Sequence, residues 1–389
     1  MPSVLSLAIV GGVAAVATFL LVPLTARVAV RLGASREPDA HHIHDTPTPA
    51  AGGLAMLVGV VVAVAVAPAV GGFSGTFDTP GEILGGVAAA AMVLAVGFYD
   101  DIRDLSPPAK AAGVAAAGVV LHLSGVSIAV FRVPFWDLVF LSDEWSAVIT
   151  VLWVLGMANA VNLIDGLDGL AAGIVAIASG AFLLYALRLA DQGVIDEANP
   201  GALWAVVALG VCVGFLPHNL YPARVFMGDG GALLLGVLMA AATISVGGRS
   251  TVEFSGQAFF FYAPLVIPLV ILGVPVVDTL FAIVRRAVGR RGFSVADREH
   301  LHHRLMRLGH GHRRAVLVLW LWTALLSAFV LFPTYTGRGD AIVPVGIAAL
   351  ALGLFTIFHP RFGYDTLEVD EEELDRLKKL GANPRRPRG

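Results

Sequence analysis

Five short strings in this 389-residue chain set acidic, histidine and glycine residues inside otherwise apolar sequence. In Phe98-Tyr99-Asp100-Asp101-Ile102-Arg103-Asp104 the outer carboxylates are four residues apart, a spacing that puts both on one helix face. Clustered carboxylates raise one another's pKa unless a cation neutralises them. Mg²⁺, held through carboxylates and substrate phosphates, suits such a cluster, with Mn²⁺ allowed in its place. The plain alternative is a solvated helix end paired with Arg103. The second string runs from Asn159 through Asn162, Asp165 and Asp168 to Gly173. Its glycines allow a tight turn between two helices, and the two aspartates, three apart, can project from one side of it. A simple turn needs one Asp-Gly, whereas this string has two, framed by asparagines. The third, Val225-Phe226-Met227-Gly228-Asp229-Gly230-Gly231, places an acid and three glycines at a helix start. Asp229 could be an N-cap there, or it could hold a metal beside backbone N–H groups aimed at a phosphate. The fourth, His300-Leu301-His302-His303-Arg304, reads as an anion-binding loop. Zinc is its rival but would need further ligands, and no cysteine is nearby. The fifth, from His41 through His44 to Gly53, is the weakest, with three histidines ahead of a rigid Thr-Pro-Thr-Pro entry into a helix.

The elements that must position these residues are membrane helices. The chain is 57% hydrophobic and 14% charged, against about 25% charged in ordinary soluble domains. Eleven apolar segments can be drawn, at 4–26, 51–70, 82–99, 109–124, 146–161, 168–189, 201–217, 231–247, 258–284, 314–332 and 341–358. Many approach the roughly 20 residues that span a bilayer. The expected fold is therefore an all-α polytopic membrane protein with about eleven transmembrane helices, its N-terminus outside and its C-terminus cytoplasmic. Residues 1–360 would form one integral membrane catalytic domain and 361–389 a charged, partly disordered cytoplasmic tail. With the N-terminus outside, all but four of the 26 lysines and arginines fall in inner loops or at their edges; the exceptions are Arg132, Arg188, Arg249 and Arg338. Basic residues are retained on the cytoplasmic side. The same orientation gathers all five strings on the cytoplasmic face, although none of their acidic, asparagine or histidine residues was used to choose it. Residues 131–144 read as a short interfacial element. The N-terminus lacks the basic residues of a cleaved signal peptide, and Cys212, the only cysteine, cannot form an intrachain disulfide.

In this order and on one membrane face, the five strings resemble the polyprenyl-phosphate N-acetylhexosamine-1-phosphate transferase superfamily (glycosyltransferase 4), over nearly the whole chain. His300–His303 and Pro275–Arg286 look like its WecA/TagO branch, and the stretch from His300 to Arg314 resembles actinobacterial members. The resemblance implies that Asp229 holds Mg²⁺ with help from Asn162, and that Asp100, Asp101 and Asp104 form the catalytic cluster at the reacting phosphates. It implies a substrate-binding set of Asp165, Asp168, Phe226, Asn219, His44, His300, His302, His303 and Arg304, with Asp168 and Phe226 at the uracil. The expected reaction is attack of a polyprenyl phosphate on the β-phosphorus of UDP-N-acetylglucosamine, releasing UMP and starting a cell-envelope glycan. The partners would be the UDP-sugar, the lipid phosphate and the surrounding bilayer, with a homodimer allowed and no nucleic acid. Asp100 or Asp101 would act as base, or both would position metal and phosphate. Two departures stand out: Ser294-Val295-Ala296-Asp297 lacks the family's usual proline, and Gly228-Asp229-Gly230-Gly231 lacks its serine. A secondary transporter is the rival from another class, but such sites lie near the midplane between related halves, and no repeat is visible here.

Overall fold

The computed structural model describes residues 2–36, 48–132, 138–248, 266–276, 278–279, 305–306, 310–337 and 342–358. Over these the chain forms helices α1 (Val4–Leu32), α2 (Gly52–Val66), α3 (Pro80–Arg103), α4 (Pro107–Leu123), α5 (Asp143–Ile164), α6 (Leu170–Asp191), α7 (Gly201–Asn219), α8 (Gly228–Gly247), α9 (Val266–Ile271), α10 (His312–Thr336) and α11 (Ile342–Phe358). Two small antiparallel ribbons join them, β1 (Ser35–Arg36) with β2 (Thr48–Pro49) and β3 (Val130–Arg132) with β4 (Leu138–Phe140). The short element expected at 131–144 overlaps the second ribbon, and α5 begins directly after it.

Among the described residues eight helices are long and apolar enough to cross a membrane: α1, α2 with the 3₁₀ turn that prolongs it, α3, α5, α6, α7, α8 and α10. α4 and α11 are apolar but have 17 residues each. Ten of the apolar segments drawn from sequence thus lie on described helices. The ninth, 258–284, falls mostly outside the described residues, as do His44, His300, His302, His303, Arg304 and the tail.

Local signals set the helix ends. Ser3 caps α1 by accepting from Ser6 N at 3.1 Å, and Gly33 closes it with φ +78. α3 and α4 both begin with proline, whose missing N–H is no loss in a first turn. Several helices outrun their apolar stretch, so α3 carries Asp100 and Asp101 on its own last turn.

α8 is the centre of the bundle, packed by α3, α5, α7 and α2. Every residue from Gly228 to Gly247 is buried except Asp229. A helix apolar on all sides belongs in the middle of such an assembly, and its single open position is an aspartate. The outer surface carries exposed Val16, Leu20 and Leu24 of α1, Leu317 and Leu321 of α10, and Ile347 and Leu350 of α11. Such a belt would aggregate in water and is what lipid solvates.

Candidate active site

The backbones of α3 and α8 touch. A Cβ on Gly97 would lie 2.4 Å from Gly230 N, and one on Gly230 would lie 3.0 Å from Leu94 O. The last turn of α3 is thereby held against the first turn of α8, and Asp101 Oδ1 accepts a hydrogen bond from Asp229 N at 3.1 Å. Gly228 has φ +72, where a side chain is strained, and its Cβ would stand 2.5 Å from Asp101 Oδ2. Each glycine of this string has a different reason to be small: Gly228 meets Asp101, Gly230 meets α3, and Gly231 meets Gly53 of α2. At position 230, where the resembled family carries serine, the close approach of Leu94 and Phe98 favours glycine in this chain.

Lys110, in the first turn of α4, closes the cluster. Its Nζ lies 3.0 Å from Asp100 Oδ2 and also contacts Asp229 Oδ2, so one ammonium joins α3, α4 and α8. The side chains of Lys110, Asp100 and Asp229 are 16%, 15% and 20% exposed, open enough for a ligand yet dry enough for charge to act strongly. The sequence reading counted Lys110 only as a topological charge. The signal was present: it is the only lysine before Lys378.

Two expectations are corrected here. Asp104 does not extend the face of Asp100, because α3 ends at Arg103 and Asp104 follows as its left-handed cap, with φ +49. Asp100 Oδ1 accepts from Leu105 N at 2.6 Å, which turns the chain back, and Pro107 then starts α4. Asp104 is exposed, and the carboxylates that meet are Asp100, Asp101 and Asp229. Nor is the start of α8 an open phosphate cradle. The amide of Asp229 binds Asp101, while Gly97 and Gly53 cover those of Gly230 and Gly231.

The Asn-Asp-Gly string forms the α5–α6 turn, and it is clamped to the α7–α8 loop. Asp168, buried, accepts from Ala223 N at 2.9 Å. Asn219, 3% exposed, accepts from Gly169 N and donates to Val225 O, both at 3.0 Å. Its amide is thus engaged at both ends by backbone, so it holds the two loops together. Asp165, half-buried, caps α5. Phe226, also half-buried, is held by its backbone, with its N–H donating to Pro49 O at 2.9 Å and its carbonyl accepting from Gly52 N at 3.0 Å. The His41–Gly53 string therefore reaches the site through its last residues, while His44 lies outside the described residues.

His300, His302, His303 and Arg304 also lie outside them. A few residues further along the sequence, His310 Nε2 lies 3.0 Å from Thr356 O. His312 then stacks on Tyr221 with ring centres 4.5 Å apart, and Arg313 lies 5.4 Å over the same ring. The start of α10 therefore rests on the loop that Asp168 and Asn219 hold.

Among the described residues no three His, Cys, Asp or Glu side chains close into a metal cage. Mg²⁺ does not need one, since one or two carboxylates plus substrate phosphates commonly hold it. Asp100 and Asp229 turn carboxylate oxygens to one common ammonium, so the donor set suits a hard cation shared with a diphosphate. Asn162 stands in the last turn of α5. That helix packs antiparallel on α8, with Ala158 against Gly236 and Trp153 bonded to Thr243. Continuing that register puts Asn162 level with Ala232, within a turn of Asp229.

Fold and site together define a polytopic membrane protein with a cluster of charge at one end of its apolar bundle. The family model described as glycosyl transferase family 4 matches residues 83–247. The chain is 34% identical over 90% of its length, and 88% of the relative's, to the decaprenyl-phosphate N-acetylglucosaminephosphotransferase of Mycolicibacterium smegmatis. It is 36% identical to that of Mycobacterium tuberculosis over 88% of each chain. Against the probable undecaprenyl-phosphate N-acetylglucosaminyl 1-phosphate transferase of Bacillus subtilis it is 34% identical, over 80% of this chain and 81% of the relative. The chain belongs to glycosyl transferase family 4.

Proposed function

We propose that the protein transfers N-acetylglucosamine-1-phosphate from UDP-N-acetylglucosamine to a polyprenyl phosphate, releasing UMP. The observation that carries this reading is the meeting of Asp100, Asp101, Asp229 and Lys110 at one end of an apolar helix bundle. Related chains named for the same transfer support it. Both substrates are phosphate anions, one of them embedded in lipid, and such a site meets each at the membrane boundary.

In the step itself, an oxygen of the lipid phosphate attacks the β-phosphorus of the UDP-sugar. A new P–O bond forms as the bond to the bridging oxygen breaks, and the electron pair leaves on UMP. Phosphoryl transfer depends mainly on positioning and on neutralising charge. Lys110 supplies a cation at the reacting phosphates. Asp229, with Asn162, would hold Mg²⁺, which when bound neutralises and orients the diphosphate. Asp101, bonded to Asp229 N, fixes α3 on α8. Asp100 has Leu105 N on one oxygen and Lys110 on the other, an arrangement that orders the ammonium and suits neither a nucleophile nor a strong base. A strong base is not required, because a phosphomonoester with a second pKa near ~6 is largely dianionic at neutral pH. Direct attack by the lipid follows. Asp168 and Phe226 receive the uridine, and His300, His302, His303 and Arg304, ahead of α10 in the sequence, engage the sugar or diphosphate.

The carboxylate end faces the cytoplasm in this reading, with the N-terminus outside and the tail inside. Arg27, Arg31, Arg103, Lys110, Arg224, Arg313 and Arg314 lie toward that end, whereas Arg132 and Arg188 lie toward the other. That distribution is the one expected of a cytoplasmic face. Purified protein with Mg²⁺, decaprenyl or undecaprenyl phosphate and a panel of UDP-sugars should release UMP with UDP-N-acetylglucosamine as the preferred donor. UMP release with a different UDP-sugar and none with this one would overturn the donor assignment.

A further inference from the structure

α1 and α7 run side by side in the same direction, with Gly210 against Gly11 and Gly214 against Ala15. One step further along this seam, His218 meets Phe19, with ring centres 4.8 Å apart. His218 Nε2 lies 3.0 Å from Phe19 O. A carbonyl only accepts, so Nε2 carries the proton and donates. Phe19 O needs that donor for a reason written in α1 itself. Its helical partner would be the N–H four residues on, and that residue is Pro23, which has none. In an apolar bilayer an unbonded carbonyl is costly, and a neighbouring helix must supply the bond.

His218 is also the root of the loop that reaches the site. Its own carbonyl accepts from Arg224 N at 2.9 Å and from Val225 N at 3.3 Å. The next residue, Asn219, ties Gly169 N to Val225 O, and Asp168 holds Ala223 N in the same loop. We propose that His218 is a positioning residue for the nucleotide-sugar donor: its bond to the carbonyl freed by Pro23 anchors on α1 the loop that carries Asn219, Ala223 and Phe226. This rests on the donor assignment above, although its stability arm does not. The sequence reading passed over both His218 and Pro23, since Pro23 lies inside an apolar segment, His218 directly follows one, and neither belongs to any of the five strings.

The test is a double-mutant cycle in the full-length protein. His218→Ala should raise KM for UDP-N-acetylglucosamine about tenfold, with kcat within about twofold, because ground-state placement is lost and the reacting groups are not touched. His218→Gln, which keeps a donor, should recover most of that KM. Pro23→Ala restores an N–H for Phe19 O within α1, and so separates packing from positioning. Adding it to His218→Ala should bring Tm back toward wild type while KM stays high. If Tm and KM recover together, or if His218→Ala leaves KM within twofold, the proposal is overturned. Wild-type protein that neither binds nor uses UDP-N-acetylglucosamine would sink the donor assignment instead, and the Tm comparison would still show whether Pro23 and His218 are coupled.

Discussion

At the end of the bundle where α3 crosses α8, helix backbones touch at glycines, and charged side chains reach across three helices. Gly97 meets Gly230, Asp101 binds Asp229 N, and Lys110 joins Asp100 to Asp229. The opposite end is joined mainly through backbone carbonyls. Ala129 N and Val130 N both donate to Gly248 O, at 2.9 and 3.0 Å. Asn199 Nδ2 donates to Ser245 O at 2.6 Å, and Ser6 Oγ donates to Gly71 O. Among the described residues there, His122 lies 3.4 Å from Asp143 and Arg188 pairs with Asp191, and each of the two aspartates is largely exposed. Neutral bonds to backbone hold helices together without desolvating charge. Three part-buried acids and one ammonium cost far more to assemble, and any of them left unpaired is expensive. Charge concentrated on one side, where neutral bonds serve on the other, marks the side that meets charged ligands.

Replacing Asp229 should give the largest effect, because it removes the one open residue of the central helix. Asp229→Ala should lower kcat/KM by on the order of 10³-fold, at any Mg²⁺ concentration, as loss of a preorganised charge in a dry site does. UMP release across a Mg²⁺ series is the measurement. Activity regained at high Mg²⁺ would mean that Asp229 only tunes affinity, and the contrast between the two ends would lose its functional meaning.

Lys110 sharpens the comparison. Lys110→Met keeps the length of the side chain and removes the charge, leaving Asp100 and Asp229 without the cation that both contact. The expected loss is about 10²-fold in kcat/KM, with Lys110→Arg recovering only part of it, since a planar fork cannot replace a compact ammonium held between two carboxylates. A Lys110→Met enzyme within threefold of wild type would show that the ammonium is there to hold helices together, as His122 and Asn199 do at the other end.

Much of the candidate site was legible because its residues are chemically out of place in apolar sequence. Asp100, Asp101, Asp168 and Asp229 could be named from that contrast alone, and the structure brings them to one end of the bundle. What could not be read was which faces of the helices pack. Membrane helices are apolar on every side, so periodicity carries little, and the contacts of Gly97 with Gly230 and of Ala158 with Gly236 are visible only in three dimensions. Asn219 was assigned to substrate, yet its amide spans fifty residues of sequence to hold Gly169. Asp104 was placed on a helix face by spacing, but spacing could not foresee that Asp100 would take Leu105 N and end the helix. Lys110 was hidden by a counting rule that treats every basic residue alike.

The smallest effect should come from the end without the site, where Asn199 is the clearest target. Its amide donates to Ser245 O, and its Oδ1 accepts from Gly201 N at 2.8 Å, so it ties α8 to the start of α7. Asn199→Ala removes both bonds and strands a buried carbonyl on α8. Together these are worth about 1–2 kcal/mol, by the usual worth of such hydrogen bonds and caps. Tm in detergent should fall by roughly 2–4 °C. kcat and KM for the UDP-sugar should stay within about twofold of wild type, because the change lies a full helix length from Asp229 with no shared partner. Thermal unfolding and UMP release on the same preparation check both halves. A Tm unchanged in Asn199→Ala would show that the neutral bonds at this end contribute little to stability. A large loss of kcat with Tm intact would show that α8 transmits changes along its whole length, and that its two ends cannot be treated as separate.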